Sequence, residues 1–217
     1  SVPRLLEKIY DKIMAKGNEL TGIKRTLFFG AIEFGLNYDP MKKLGLIDSL
    51  KLGLYRKLIF SKWKEALGGR VRLIASGSAA LQPRLSRVFW AAGIPISEGY
   101  GLTETSPIIS ISKVNPPDFQ VGCVGSVLDC VEVKIAEDGE ILAKGDSIMP
   151  GYYKNPEATA EAIDKDGWFH TGDIGIFVDG KYLKITDRKK EIFKTSGGKY
   201  VAPQLVENKL KESSFIE

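Results

Sequence analysis

Apolar residues recur at helical spacing through the first third of the chain and tend to alternate with polar ones through much of the rest. Pro3 suits the first turn of a helix, where its missing N–H has no partner to lose. Leu5, Leu6, Ile9, Tyr10, Ile13 and Met14 follow at helical intervals, and Gly17 can end that helix. Thr21 is placed to cap a second helix carrying Ile23, Leu27, Phe28, Ala31 and Phe34. A third is expected from about Asp48 to Leu67, with Leu50, Leu54, Leu58, Ile59 and Trp63 inward and Gly68-Gly69 as its stop.

The rhythm then changes. Val71–Ala75 reads as a strand. Gln82-Pro83 opens a helix with Leu85, Val88 and Phe89 inward, Gly93 closes it, and Ile94-Pro95-Ile96 reads as the next strand. A strand–helix–strand unit implies a right-handed crossover and parallel strands. From Pro107 onward the pattern is β. Val131, Val133 and Ile135 alternate before a turn at Glu137-Asp138-Gly139, and Ile141 and Ala143 continue beyond it. Ile176 and Val178 lead to a hairpin turn at Asp179-Gly180, and Tyr182 resumes. Asn155-Pro156-Glu157 opens a short helix between these strands. The expected fold is α/β: part of a parallel βαβ-type sheet with packed helices, then a small antiparallel sheet or barrel. The expected division is 1–106, 107–186 and 187–217.

Composition narrows the class. The 217 residues suffice for a substantial core, and the net charge of +4 is too weak to imply nucleic acid. Lys42, Lys43, Lys51, Arg56, Lys57, Lys62, Lys64, Arg70 and Arg72 crowd one stretch with few acids. That reads as a solvated helical face, or alternatively as a surface for anionic lipid or an anionic substrate. Cys123 and Cys130 match no zinc spacing, and His170 is the only histidine. Two thiols suit a reducing cytosol, so a cytoplasmic protein is expected. No signal peptide is expected, and the sequence holds no apolar run long enough to span a bilayer. Ser1-Val2-Pro3 at one end and Ser213–Glu217 at the other lead to the expectation of a fragment of a longer protein.

The chemistry-bearing residues gather after the two parallel strands, and parallel strands open on one edge of a sheet. Gly77-Ser78-Ala79 is all small, so backbone can approach a flat ligand closely. Glu98-Gly99-Tyr100-Gly101-Leu102-Thr103-Glu104-Thr105 supplies an aromatic face, two hydroxyls and two carboxylates. A tyrosine can stack on a base, a threonine can donate to a phosphate, and a glutamate can hold Mg²⁺. Alone, the string is also an ordinary strand-to-loop exit. Asp173 follows a glycine and can accept from two adjacent hydroxyls, although Gly-Asp is common in turns. Asp187-Arg188-Lys189-Lys190-Glu191 is either a solvated linker or a hinge with an arginine in reach of a phosphate. Lys194–Lys199 resembles a phosphate loop but lacks the glycine–lysine–serine spacing. No serine sits in a Gly-x-Ser-x-Gly elbow, which argues against a serine hydrolase.

Taken in order, SVPRLLEKIYDKI, ASGSAAL, SEGYGLTETSP, GEILAKGDSIMPGYYKNPEAT, GWFHTGDIG and KITDRKKEIFKTSGGKYVAPQLVE resemble the adenylate-forming synthetases, most closely the AMP-forming long-chain fatty acyl-CoA synthetases. The resemblance covers nearly the whole chain. It implies a two-step reaction: a fatty acid carboxylate and ATP, with Mg²⁺, give acyl-AMP, and coenzyme A then displaces AMP. By resemblance, Tyr100 stacks on adenine, with Gly77, Ser78 and Ala79 on the other side of the ring. Glu98, Gly99, Gly101 and Leu102 belong to the same nucleotide motif. Thr103 binds phosphate oxygens, Glu104 coordinates Mg²⁺, and Asp173 holds the ribose hydroxyls with help from Arg188. Asp187 becomes the hinge of a C-terminal lid begun by 187–217, Gly197 and Gly198 approach coenzyme A, and Lys194 assists the second step.

Two departures matter. The family's serine/threonine/glycine-rich phosphate loop and its C-terminal lysine are both absent from this sequence, so the isolated piece is expected to be inactive. Two other readings compete. One is an adenylating enzyme that loads a carrier protein. The other is a non-catalytic module that binds membrane or nucleotide through residues 42–72. The resemblance leaves acyl chain length, oligomeric state and peripheral membrane contact open.

Overall fold

A computed structural model describes residues 3–115, 118–191, 193–194, 200–201 and 203–210. The chain divides into two compact units, one of residues 1–98 and 112–122, the other of residues 99–111 and 123–217.

In the first unit, helices α1 (Pro3–Asn18) and α2 (Gly22–Leu36) form where the periodicity predicts. Thr21 occupies the N-cap of α2, but its hydroxyl makes no capping bond. Gly17 is required by packing, because a Cβ there would overlap the Phe28 ring. The long third helix consists of α3 (Leu46–Tyr55), a wide π turn (Arg56–Phe60) and α4 (Ser61–Ala66). Ile59 and Trp63 face inward as expected, but the rest of the inward face differs. Leu52, Phe60 and Trp63 are buried, with Ile59 packed beside them, whereas Leu50, Leu54 and Leu58 are exposed. The segment has apolar residues on two opposite sides, and spacing alone cannot choose between them. The aromatic side wins because rings remove the most apolar area from water. Trp63 shows why: it makes edge contacts with Tyr10, Phe60 and Phe89 at centroid distances of 6.4, 5.3 and 5.6 Å.

Strand β1 (Ile74–Ser76), helix α5 (Pro83–Ala91) and the start of β2 (Ile96–Tyr100) make the expected βαβ unit. The strands are parallel, with Ile74 opposite Ile96 and Ser76 opposite Glu98. β2 runs on to Tyr100, so the motif's glutamate and tyrosine lie on the strand instead of beyond its end. Polar residues on this strand break the apolar run by which a buried strand is read, and not all of them find hydrogen-bond partners among the described residues. The Ser97 hydroxyl does, donating to the Ser112 carbonyl. Leu85, Val88 and Phe89 pack inward from α5 as predicted.

In the second unit, Gly99 and Tyr100 pair with β3 (Ser110–Ile111). β4 (Gly125–Val127), β5 (Val131–Ile135), β6 (Glu140–Gly145), β7 (Phe169–Val178) and β8 (Tyr182–Arg188) complete an antiparallel ladder in the order β2-β3-β4-β8-β7-β6-β5. Among the described residues nothing pairs with the far side of β5, so the ladder is an open sheet, not a barrel. Its core holds Tyr100, Ile109, Val131, Ile141, Ala143 and Leu183. Asp179 and Gly180 both take positive φ, 52° and 65°, as a two-residue turn matched to strand twist requires. Asn155 caps α6 (Pro156–Ala162), its side chain accepting the Ala158 N–H at 3.1 Å. Beyond β8 come β9 (Phe193–Lys194), its partner β10 (Tyr200–Val201) and α7 (Pro203–Leu210). Among the described residues, no helix is long and apolar enough to cross a membrane.

Candidate active site

The second unit joins two residues 73 positions apart in sequence. Tyr100 ends β2 with its ring in the core, and its hydroxyl donates to Asp173 Oδ2 at 2.8 Å. Burial, followed by the neighbouring Asp173 charge, pushes the Tyr100 phenol well above its ordinary value, so it stays a donor. Burial also raises the Asp173 carboxyl, against the Tyr100 hydrogen bond and the Arg188 charge, which lower it. Arg188 Nε stands 3.8 Å from Asp173 Oδ1, and the two residues face each other across β7 and β8. Sequence reasoning named all three but gave no sign that the phenol and the carboxylate are in direct contact.

The loop after Tyr100 separates the two threonines. Thr105 is fully buried: its hydroxyl accepts from the Leu102 N–H at 3.0 Å and donates to the Pro107 carbonyl at 2.8 Å. Thr103 is exposed, on the first residue of the 3₁₀ turn Thr103–Thr105. Gly101 is fixed by a close approach, since a Cβ there would run into the Pro107 carbonyl and the Ile108 Cα. Glu104 is half-buried and accepts from the Tyr152 hydroxyl at 3.0 Å. Among the described residues, no three His, Cys, Asp or Glu side chains cluster as a metal cage. A lone carboxylate such as Glu104 fits the Mg²⁺ mode that uses one or two carboxylates plus substrate phosphates and waters.

In the first unit, Gly77, Ser78 and Ala79 follow β1, with Ser78 and Ala79 exposed and Ser78 at φ 70°. Glu98 lies opposite Ser76 on β2, and both are buried. The Glu98 Oε1 and Ser76 Oγ atoms have no hydrogen-bond partner among the described residues. Burial pushes the Glu98 carboxyl up to about 8, and a hydrogen bond from the Leu81 backbone pulls the other way. Neighbouring buried polar atoms left unsatisfied at a strand end are what a site completed by a ligand presents.

Asp187 is fully buried at the end of β8. Its Oδ1 accepts from the Arg188 N–H at 2.7 Å, and its Oδ2 is unpartnered among the described residues. Gly197, Gly198 and the side chain of Lys194 lie outside the described residues. Sequence reasoning passed over Tyr152, which holds Glu104, and Glu140, whose carboxylate accepts from the Gly172 N–H at 2.9 Å. No spacing rule links residue 140 to residue 172, so only the register of β6 and β7 could have exposed that contact.

Residues 1–153 match the family described as AMP-binding enzyme. Over its whole length the chain is 39% identical to a long-chain-fatty-acid–CoA ligase of Mycobacterium bovis and 38% identical to the peroxisomal long chain acyl-CoA synthetase 7 of Arabidopsis thaliana. It spans 36% and 32% of those proteins, about a third of the curated relatives it matches. Among solved structures, the O-succinylbenzoate coenzyme A synthetase of Bacillus subtilis in complex with ATP and magnesium ion is similar with a TM-score of 0.58 and 26% identity. The match covers 69% of this chain and 34% of that one.

Proposed function

Because this chain belongs to the AMP-binding enzyme family, we propose that it forms most of the nucleotide pocket of a ligase that joins a long-chain fatty acid to coenzyme A through an acyl adenylate. In the first step the fatty acid carboxylate attacks the α-phosphorus of ATP, and pyrophosphate leaves. In the second the coenzyme A thiol attacks the acyl carbonyl, loses its proton, and AMP leaves. The direct bond between Tyr100 and Asp173 carries this reading, because it brings a stacking ring and a diol acceptor within the span of one nucleoside.

The family resemblance assigns the roles. Tyr100 stacks on adenine, a contact worth on the order of 1–3 kcal/mol. Gly99, Gly101 and Leu102 hold the motif's backbone. Asp173 accepts from the ribose hydroxyls, with Arg188 beside it. Thr103, exposed in its turn, donates to phosphate oxygens. Glu104 holds Mg²⁺, which neutralises phosphate charge. Asp187 acts as the hinge of a lid begun by residues 187–217, whose Lys194, Gly197 and Gly198 serve the coenzyme A step. The exposed Lys42, Lys43, Lys51, Lys57 and Lys62 suit peripheral contact with an anionic membrane from the cytoplasm. A chain that spans a third of its relatives is not expected to turn over alone.

The test is fatty-acid-dependent exchange of pyrophosphate into ATP by the intact protein that carries this chain. Asp173→Ala should lower the exchange about tenfold to a hundredfold, the cost of charge-assisted bonds to a diol. Exchange that is absent in the unaltered protein, or unchanged in the variant, would refute the reading. Coenzyme A and a carrier protein offered separately as acceptors then identify the second step.

A further inference from the structure

Glu140 stands outside every role assigned above. It opens β6, is 3% exposed, and carries a carboxylate engaged on both oxygens. Oε1 accepts the Gly172 N–H at 2.9 Å. Oε2 lies 3.0 Å from His170 Nδ1, which donates when that nitrogen carries the proton, and accepts from Lys189 Nζ at 2.8 Å. Burial alone would raise this carboxyl, but Lys189, His170 and the Gly172 N–H outweigh it and hold the group below the usual range. It is therefore a charged carboxylate in a largely dry place. Such a group contributes little to net stability unless it organises what surrounds it.

What it organises is the residue before Asp173. Gly172 takes φ 73°, and a Cβ there would meet nothing within 4 Å, so side-chain packing does not hold that turn. Hydrogen bonds hold it at both ends of the residue. Glu140 receives its N–H, and its carbonyl accepts the backbone N–H of Lys189 at 2.8 Å. The Lys189 ammonium completes the loop by bridging Glu140 and Asp138, the latter at 2.7 Å. Lys189 lies two residues past Asp187. The same carboxylate therefore grips the turn that aims Asp173 and the segment that leaves β8.

We propose that Glu140 is a positioning residue, whose carboxylate fixes the Gly172 turn so that Asp173 meets a vicinal diol and, through Lys189, ties that turn to the chain leaving β8. This rests on Asp173 being the acceptor for the ribose. Glu140→Gln keeps one acceptor but turns an amide NH₂ toward Lys189 or Gly172, so one arm of the clamp opens. Lys189→Met removes the other arm and keeps the side-chain bulk.

The test is titration of the intact protein with AMP and with 2′,3′-dideoxy-AMP, read as the ratio of the two affinities. Loss of general structure weakens both ligands alike, whereas loss of aim weakens only the ligand with the diol. Glu140→Gln should cut the ratio about fivefold or more, and Lys189→Met about threefold, with dideoxy-AMP affinity unchanged. Asp173→Ala should bring the ratio close to one. An unchanged ratio in both Glu140→Gln and Lys189→Met, with Asp173→Ala collapsing it, would overturn the role of Glu140 and leave the ribose reading standing. An unchanged ratio in Asp173→Ala would overturn the ribose reading itself.

Discussion

At the scale of the residue, Glu98 makes the sharpest prediction. Unfolded, a glutamate loses its proton near 4.5, whereas burial in this fold pushes its carboxyl up to about 8. Between those values the folded chain holds a proton that the unfolded chain has released. Stability conferred by the neutral acid is therefore fully present below about pH 4.5, falls as pH climbs, and levels off above about pH 8. Glu98→Gln cannot titrate, so it should melt close to the unaltered protein at pH 5 and at a higher temperature at pH 8. Parallel melting curves at both pH values would show that the carboxyl is not held neutral. Tyr100→Phe removes the donor to a half-buried carboxylate and should cost about 1–2 kcal/mol of stability in denaturant titrations. A cost below the error of the titration would mean that the bond is not maintained in solution.

At the scale of the element, the long third helix shows where sequence patterns stop. Its existence and its end at Gly68 could be read from spacing, but its inward face could not, because Leu50, Leu54 and Leu58 compete with Leu52, Phe60 and Trp63. Leu52→Ala should cost about 2–4 kcal/mol and Leu50→Gln less than about 0.5 kcal/mol, and equilibrium unfolding of the pair would check the assignment. The reverse order would put the other stripe inside. The motif loop gives a second case. That Gly101 and Thr105 shape the loop while Thr103 faces out depends on how residues 101–108 fold back, which no linear string reveals. Gly101→Ala should displace the Pro107 backbone and weaken nucleotide binding roughly tenfold or more, and an unchanged affinity would exclude that tight turn.

At the scale of the whole chain, much of the layout is legible because local rules agree: helical spacing, then a βαβ unit, then hairpins closed by Asp-Gly. The antiparallel part left two closures open, and the far side of β5, unpaired among the described residues, decides for a sheet. The candidate residues were named one by one, from their side chains and from the family resemblance. Their assembly was not legible, because Tyr100 meets Asp173, and Glu140 meets Gly172 and Lys189, only through strand register. The central claim is that Tyr100 and Asp173 together form a nucleoside-binding pair. Calorimetric titration of this 217-residue chain with a non-hydrolysable acyl-AMP mimic, beside its Asp173→Ala variant, tests it most directly. The account predicts saturable binding that the variant loses by about tenfold or more. Binding of equal strength in both would contradict it.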